Sequence, residues 1–166
     1  MTTTITQIPH EPTARERQRL LRAAESIAIV GFSPNTARSS YYVATYLAQD
    51  TDYRLYFINP NAAGREVLGQ PVYASLADLP ETPDIVDVFR RASDLPAVVD
   101  EVVALGSPIV WFQLGLTNDE AADAARAAGL SVVQNRCLKI EHARFHGGLH
   151  LAGFDTGVIT SRPIRR

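Results

Sequence analysis

Residues 26–32 read SIAIVGF and run straight into SPNTARSS at residues 33–40. The first seven are apolar almost throughout, with no in-out alternation, so they form a strand covered on both faces, as in a parallel sheet. A glycine and a polar loop follow. In residues 39–49, Val43, Tyr46 and Leu47 then fall at helical spacing, and Ser39 stands where a capping hydroxyl is wanted. Strand, glycine-bearing loop and helix make the first part of a βαβ unit, and the chain repeats that rhythm.

Before this strand, residues 13–24 carry Leu20, Leu21 and Ala24 in one stripe and read as a helix. After it, residues 54–59 (RLYFIN) are a second strand, stopped by Pro60. Residues 61–71 contain Gly64 and Gly69 and read as an irregular connection, followed by a short helix at 75–79. Residues 84–89 (DIVDVF) are the third strand, and 97–105 a helix closed by Gly106. Residues 109–114 (IVWFQL) are the fourth strand, 118–128 an alanine-rich helix ended by Gly129, and 130–134 the fifth strand. Five parallel strands with right-handed crossovers give an α/β, three-layer, doubly wound sheet, with an expected strand order of 3-2-1-4-5. A further short helix is expected at 139–145. The organisation expected is a flexible N-terminus at 1–12, one domain at 13–146 and a C-terminal tail at 147–166.

Composition narrows the functional classes. The chain has 166 residues, enough for one core, and its 46% hydrophobic and 20% charged content is that of an ordinary globular protein. A net charge of −2 supplies no basic surface for nucleic acid. No apolar run approaches the roughly 20 residues that cross a bilayer, and the Thr-rich start lacks the features of a secretory signal, so a cytoplasmic protein without membrane partners is expected. The single cysteine, Cys137, leaves no internal disulfide and no cysteine-cluster zinc site. His142, His146 and His150 recur every four residues. Gly147 and Gly148 interrupt them, so a solvated tail is the expectation and a metal site the minor alternative. Leu149, Leu151, Phe154, Val158 and Ile159 in that tail suggest apolar surface covered by the body or by a second subunit, a possible homodimer.

In a doubly wound sheet, ligands sit beyond the carboxyl ends of the strands, where the strand order reverses, expected here between the first strand and the fourth. The ends are Gly31-Phe32-Ser33, Asn59-Pro60-Asn61, Phe89-Arg90-Arg91, Gln113-Leu114-Gly115 and Asn135-Arg136-Cys137. The first loop leads into a helix start, which offers free amides and a positive dipole end. Ser33, Thr36, Ser39 and Ser40 add hydroxyls there, and Arg38 adds a forked cation suited to phosphate. The chain has no GxGxxG pattern. Dinucleotide binding would also want a carboxylate at the end of the second strand, where Ile58-Asn59-Pro60-Asn61 has none. The structural alternative is that Gly31 only turns the chain, Ser39 only caps, and Arg38 is solvated.

The blocks IAIVGFS, RSSYYVATYL, FINPN, DIVDVFRR, WFQLG and VVQNRC, in that order across residues 26–145, resemble the small stand-alone CoA-binding proteins. These are relatives of the CoA-binding domain of succinyl-CoA synthetase alpha subunits. The resemblance implies a Rossmann-like sheet and CoA or an acyl-CoA as the small-molecule ligand. It places Gly31, Phe32 and Ser33 at the loop that approaches the CoA phosphates, with Arg38 as the basic residue that follows. Asn59, Pro60 and Asn61 match the turn beside the nucleotide. The synthetases carry a lysine just beyond that proline, whereas this chain has Ala62 and Ala63, with Arg65 as the available substitute. Phe89 and Arg90 match the turn after the third strand, suited to adenine and phosphate, with core packing an equal alternative for Phe89. Gln113, Leu114 and Gly115 match the turn that meets the pantetheine arm. Cys137, beside Arg136 and Lys139, is either a thiol reaching the CoA sulfur or a small buried side chain. The synthetases' phosphorylated histidine has no counterpart, and no Ser/His/Asp, HExxH or P-loop pattern occurs, so the resemblance implies binding rather than ligase activity. An NADP- or nucleotide-sugar-dependent enzyme on the same fold, and an interaction protein with an empty crevice, remain the alternatives.

Overall fold

The computed structural model describes residues 4–146. Helix α1 (Ala14–Ala23) is followed by β1 (Ser26–Val30), α2 (Ser39–Asp50), β2 (Arg54–Ile58), β3 (Glu66–Val67) and β4 (Gln70–Tyr73). Then come β5 (Ile85–Val88), α3 (Leu95–Leu105), β6 (Ile109–Phe112), α4 (Asp119–Ala127), β7 (Ser131–Val133) and α5 (Leu138–His146), with 3-10 turns at Leu76–Asp78 and Ala92–Asp94. The sheet runs β3-β4-β2-β1-β5-β6-β7. Every pairing is parallel except β3 with β4.

This corrects the expected sheet in number and order: it has seven strands rather than five, and the order is not 3-2-1-4-5. Residues 66–73 are not an irregular connection but a hairpin whose two central residues, Leu68 and Gly69, both take positive φ (51° and 76°), the geometry of a two-residue hairpin turn. Two and four residues are too few to show a period, and a proline such as Pro71 is uncommon within a strand. Yet β4 pairs with β2 through Val72 and Tyr73, in the place expected for residues 84–89. Those residues instead form β5 on the other side of β1. The strand order therefore reverses between β1 and β5.

Each face of the sheet has its own core. Ile27, Ile29, Phe57, Ile85, Trp111 and Val133 pack with Leu20, Leu21, Val43, Leu47 and Leu138, so α1, α2 and α5 cover one face. Ala28, Val30, Val86, Val110 and Val132 pack with Val98, Val102, Ala122 and Ala125, so α3 and α4 cover the other. All of β1 is buried, as its continuous apolar run requires.

The segment before α1, expected to be loose, lies along the far edge: Ile8 is buried, its amide donates to Ser131 Oγ (2.8 Å), and Glu11 accepts from the Gln134 amide and Arg126. Helix α1 starts with a capping box between Thr13 and Glu16. His10, 3.0 Å from Glu16, is the main cause that lowers this carboxylate to a pKa of about 2. Helix α5 is tied to α1 by a buried ion pair, Arg17 Nε to Glu141 Oε2 at 2.9 Å, with Arg17 also donating to the Pro12 carbonyl. The chain is helical through His146, so the histidine run is not all tail. His142 is buried with its Nδ1 2.8 Å from the Tyr46 hydroxyl, edge-on to Tyr46 and Tyr53. It is a core residue. His150 and the apolar residues of the expected tail lie outside the described residues.

Candidate functional site

Strand β1 ends in a turn that only glycine fits. Gly31 has φ +80°, and a Cβ built on it would stand 2.1 Å from the carbonyl oxygen of Phe89. That contact brings the ends of β1 and β5 together at the reversal point, where Phe89 N also donates to Val30 O (2.8 Å). The amides of Gly31 and Phe32 both donate to Ile58 O, which binds this turn to the end of β2 as well.

From there the polar loop is held by its own side chains. Ser33 N donates to Ser40 Oγ (2.9 Å), Asn35 N to Ser33 Oγ (3.2 Å) and Ala37 N to Asn35 Oδ1 (3.0 Å). The expected cap is not made. Arg38 occupies the N-cap position with no side-chain cap, and Ser40 is spent on Ser33, so the first turn of α2 keeps a start without a side-chain acceptor. Arg38 is exposed, and its guanidinium makes no ion pair among the described residues.

A cleft of about 430 Å³ opens at this end, between α2, the ends of β5 and β6, and the start of α5. It is lined by Ser39, Val43, Val88, Phe89, Arg90, Gln113, Leu114, Gly115, Leu116, Cys137 and Ile140. None of these is acidic. The structure thus brings together Phe89, Arg90, Gln113, Leu114, Gly115 and Cys137 of the residues singled out in the sequence. Arg90 lies 3.6 Å from Asp94, which steadies it without burying it.

Other sequence candidates have different places. Phe32 is fully buried, stacked on Phe57 at 4.3 Å, so its ring belongs to the core. Asn59 braces two loops: Nδ2 donates to Phe32 O (2.9 Å) and Oδ1 accepts from Asn61 N (2.9 Å). Pro60 and Asn61 are exposed on the neighbouring turn and do not line the cleft. Arg65 is exposed as well, its backbone tied into the hairpin through Ala62 and Val72.

One polar residue was not singled out. Asp87, in the middle of β5, is wholly buried; its Oδ1 accepts from Gln113 Nε2 at 2.5 Å, and its Oδ2 has no hydrogen-bond partner among the described residues. Burial pushes its pKa up to about 8, against a smaller lowering by Gln113. The available signal was an acid inside the apolar strand IVDV. Cys137 also titrates above its ordinary value: burial is the largest cause and Asp87 adds to it, outweighing the lowering by Lys139. The flanking cations therefore do not make it a thiolate at neutral pH.

A larger hollow of about 620 Å³ lies at the start of β2, lined by residues such as Arg22, Asp50, Asp52, Tyr53 and His142. It sits at the opposite rim from the reversal point, and its carboxylates disfavour a polyanion, so size does not decide the site.

A family model described as a CoA binding domain matches residues 25–143. The chain belongs to the CoA-binding domain family. A Bacillus subtilis (strain 168) protein, the uncharacterized protein YneT, is 35% identical over 132 residues, covering 80% of this chain and 96% of that protein. Among solved structures, cell-free ID.343 from Thermus thermophilus is 39% identical with a TM-score of 0.77, covering 81% of this chain and 99% of that one. A hypothetical protein from Pyrococcus horikoshii OT3 is 34% identical with a TM-score of 0.77, covering 87% and 99%. The match to this CoA-binding domain spans the β1 turn, the α2 start and the whole lining of the cleft. No helix among the described residues is long and apolar enough to cross a membrane.

Proposed function

We propose that this protein binds coenzyme A or an acyl-CoA in the cleft beside α2, and that it acts as a ligand-binding module of the cytoplasm rather than as a catalyst. The observation that carries this reading is the join between the family and the site. In a CoA-binding domain, the cleft at the strand reversal has no acidic lining and opens beside a helix start that has no side-chain cap. Phosphate groups are matched by the α2 start, Ser39 and the exposed Arg38. Arg90 offers a second cation, and the half-buried Phe89 a flat apolar face. Leu114, Leu116, Val43 and Ile140 form an apolar lining for the arm of the ligand, with Gln113 as its polar point. Asn59, at the end of β2, is engaged with Phe32 and Asn61 and leaves no carboxylate for a nicotinamide dinucleotide's ribose.

Calorimetric titration with CoA, dephospho-CoA and NADPH tests this. CoA is expected to bind most tightly and dephospho-CoA more weakly; tighter binding of NADPH, or no heat with any of the three, overturns the reading. Arg38→Ala should weaken CoA binding by about 1 to 3 kcal/mol, the range of a charge-assisted contact. An unchanged dissociation constant removes Arg38 from the site.

A further inference from the structure

Beneath the cleft, the Gln113 side chain joins a wholly buried acid to the ligand space. Gln113 is 6% exposed and lines the cleft, whereas Asp87 is 0% exposed and does not. The Nε2 end of the Gln113 amide meets Asp87 Oδ1 at 2.5 Å, and its Oε1 end has no hydrogen-bond partner among the described residues, on a side chain that lines the cleft. An ionised carboxylate can only accept, so it holds the amide NH2 and leaves the amide oxygen toward the ligand. A neutral carboxylic acid can donate its O–H to the amide oxygen, and the NH2 then faces the ligand. A separation of 2.5 Å lies below the N–H···O range and at the short limit of the O–H···O range.

We propose that Asp87 is a specificity-determining, positioning residue. When neutral it keeps its proton, donates an O–H hydrogen bond to Gln113 Oε1 and turns the Gln113 NH2 into the cleft as a donor for a carbonyl oxygen of the ligand's arm. When ionised it takes the NH2 back, and the cleft shows an acceptor instead. The inference rests on the CoA reading. Beside Asp87 in the sheet stand Ile29 and Trp111, which carry no charge, and the charged residue of the cleft lining, Arg90, is turned to Asp94. From the α5 side come Cys137, with Lys139 acting on it. The structure has Gln113 Nε2 on Asp87 Oδ1, the arrangement of the accepting carboxylate; burial favours the neutral acid up to a pH of about 8, and in that state, on this proposal, the amide is turned over with its NH2 toward the ligand.

The carbonyl recognised belongs either to an amide of the pantetheine arm or to the thioester of an acyl-CoA, and one titration series separates the two. Dissociation constants are measured at pH 6.5 and pH 9 for CoA, acetyl-CoA and adenosine 3′,5′-bisphosphate, which lacks the arm and corrects for ionisation of the phosphates. The expected result is a loss of affinity of about five- to ten-fold at pH 9 beyond that of the bisphosphate, the scale of one hydrogen bond. A loss shared by CoA and acetyl-CoA assigns the amide, and a loss confined to acetyl-CoA assigns the thioester. In Asp87→Asn the side-chain NH2 donates to Gln113 Oε1 at every pH, so binding should stay at the acid-side affinity and the pH dependence should vanish. Gln113→Met should bind at the weaker affinity throughout. An Asp87→Asn protein with the wild-type pH profile, or a wild-type protein whose arm-bearing ligands follow the bisphosphate, overturns the inference while CoA binding stands. A wild-type protein that binds none of the three overturns the CoA reading itself.

Discussion

Gly31→Ala is expected to cost about 2 to 5 kcal/mol of folding stability and to abolish tight binding in whatever protein remains folded. Two penalties act at one carbon. Backbone at φ +80° disfavours any L side chain, and the added Cβ would overlap the Phe89 carbonyl oxygen at 2.1 Å. That oxygen belongs to backbone rather than to a mobile side-chain tip, so relief requires β1 and β5 to part at their ends. The same movement would shift Phe89 and Arg90 in the cleft wall. Gly64 and Gly106 also have positive φ but have nothing within 4 Å of an added Cβ, which makes Gly106→Ala the control for φ alone. Chemical denaturation should show a clearly smaller loss in the control than at position 31. Equal losses would mean that the close approach to Phe89 carries no energy.

The second large effect concerns pH. Asp87 has a folded-state pKa of about 8 against an ordinary 3.8, so between those values the folded chain holds a proton that the unfolded chain has released. The group's contribution therefore falls as pH rises across this window, by about 1.4 kcal/mol per pH unit, and levels off above the folded value. Asp87→Asn removes the titration while keeping the shape and a partner for Gln113. Relative to wild type, the variant is expected to gain about 3 to 4 kcal/mol of stability between pH 5 and pH 8. Urea denaturation at both pH values reads the change directly. A gap between the two proteins that stays constant with pH would show that the acid is ionised in the fold.

What could be read from the chain follows the physics of each segment. β1, β5, β6 and β7 announce themselves because both faces are buried and their residues are apolar nearly throughout, Asp87 in β5 being the one charged interruption. The helix ends are written locally, in Asn118, whose side chain accepts from Ala121 N, and in Gly106 in the left-handed conformation. β3 and β4 were hidden because they are short and lie at the exposed edge, where no pattern of burial is imposed. Missing them displaced the third strand and put the expected reversal at the fourth strand, whereas it lies at β5.

At the site, loop chemistry pointed to Gly31, Arg38 and the ends of β5 and β6, since strand ends at a reversal are set by topology. Side-chain direction was not legible. Nothing local tells that Phe32 turns inward to Phe57, or that Asn59 spends both its polar ends on neighbouring loops. Asp87 stood in plain view within an apolar strand, yet its bond to Gln113 exists only once β5 and β6 lie side by side.

A crystal structure of the protein grown with coenzyme A tests the account most directly. It should show the phosphates against the start of α2 near Arg38, and the arm running past Gln113 between Leu114 and Ile140. Coenzyme A seated in the hollow at the start of β2, or the cleft beside α2 filled by the protein's own side chains, would contradict it.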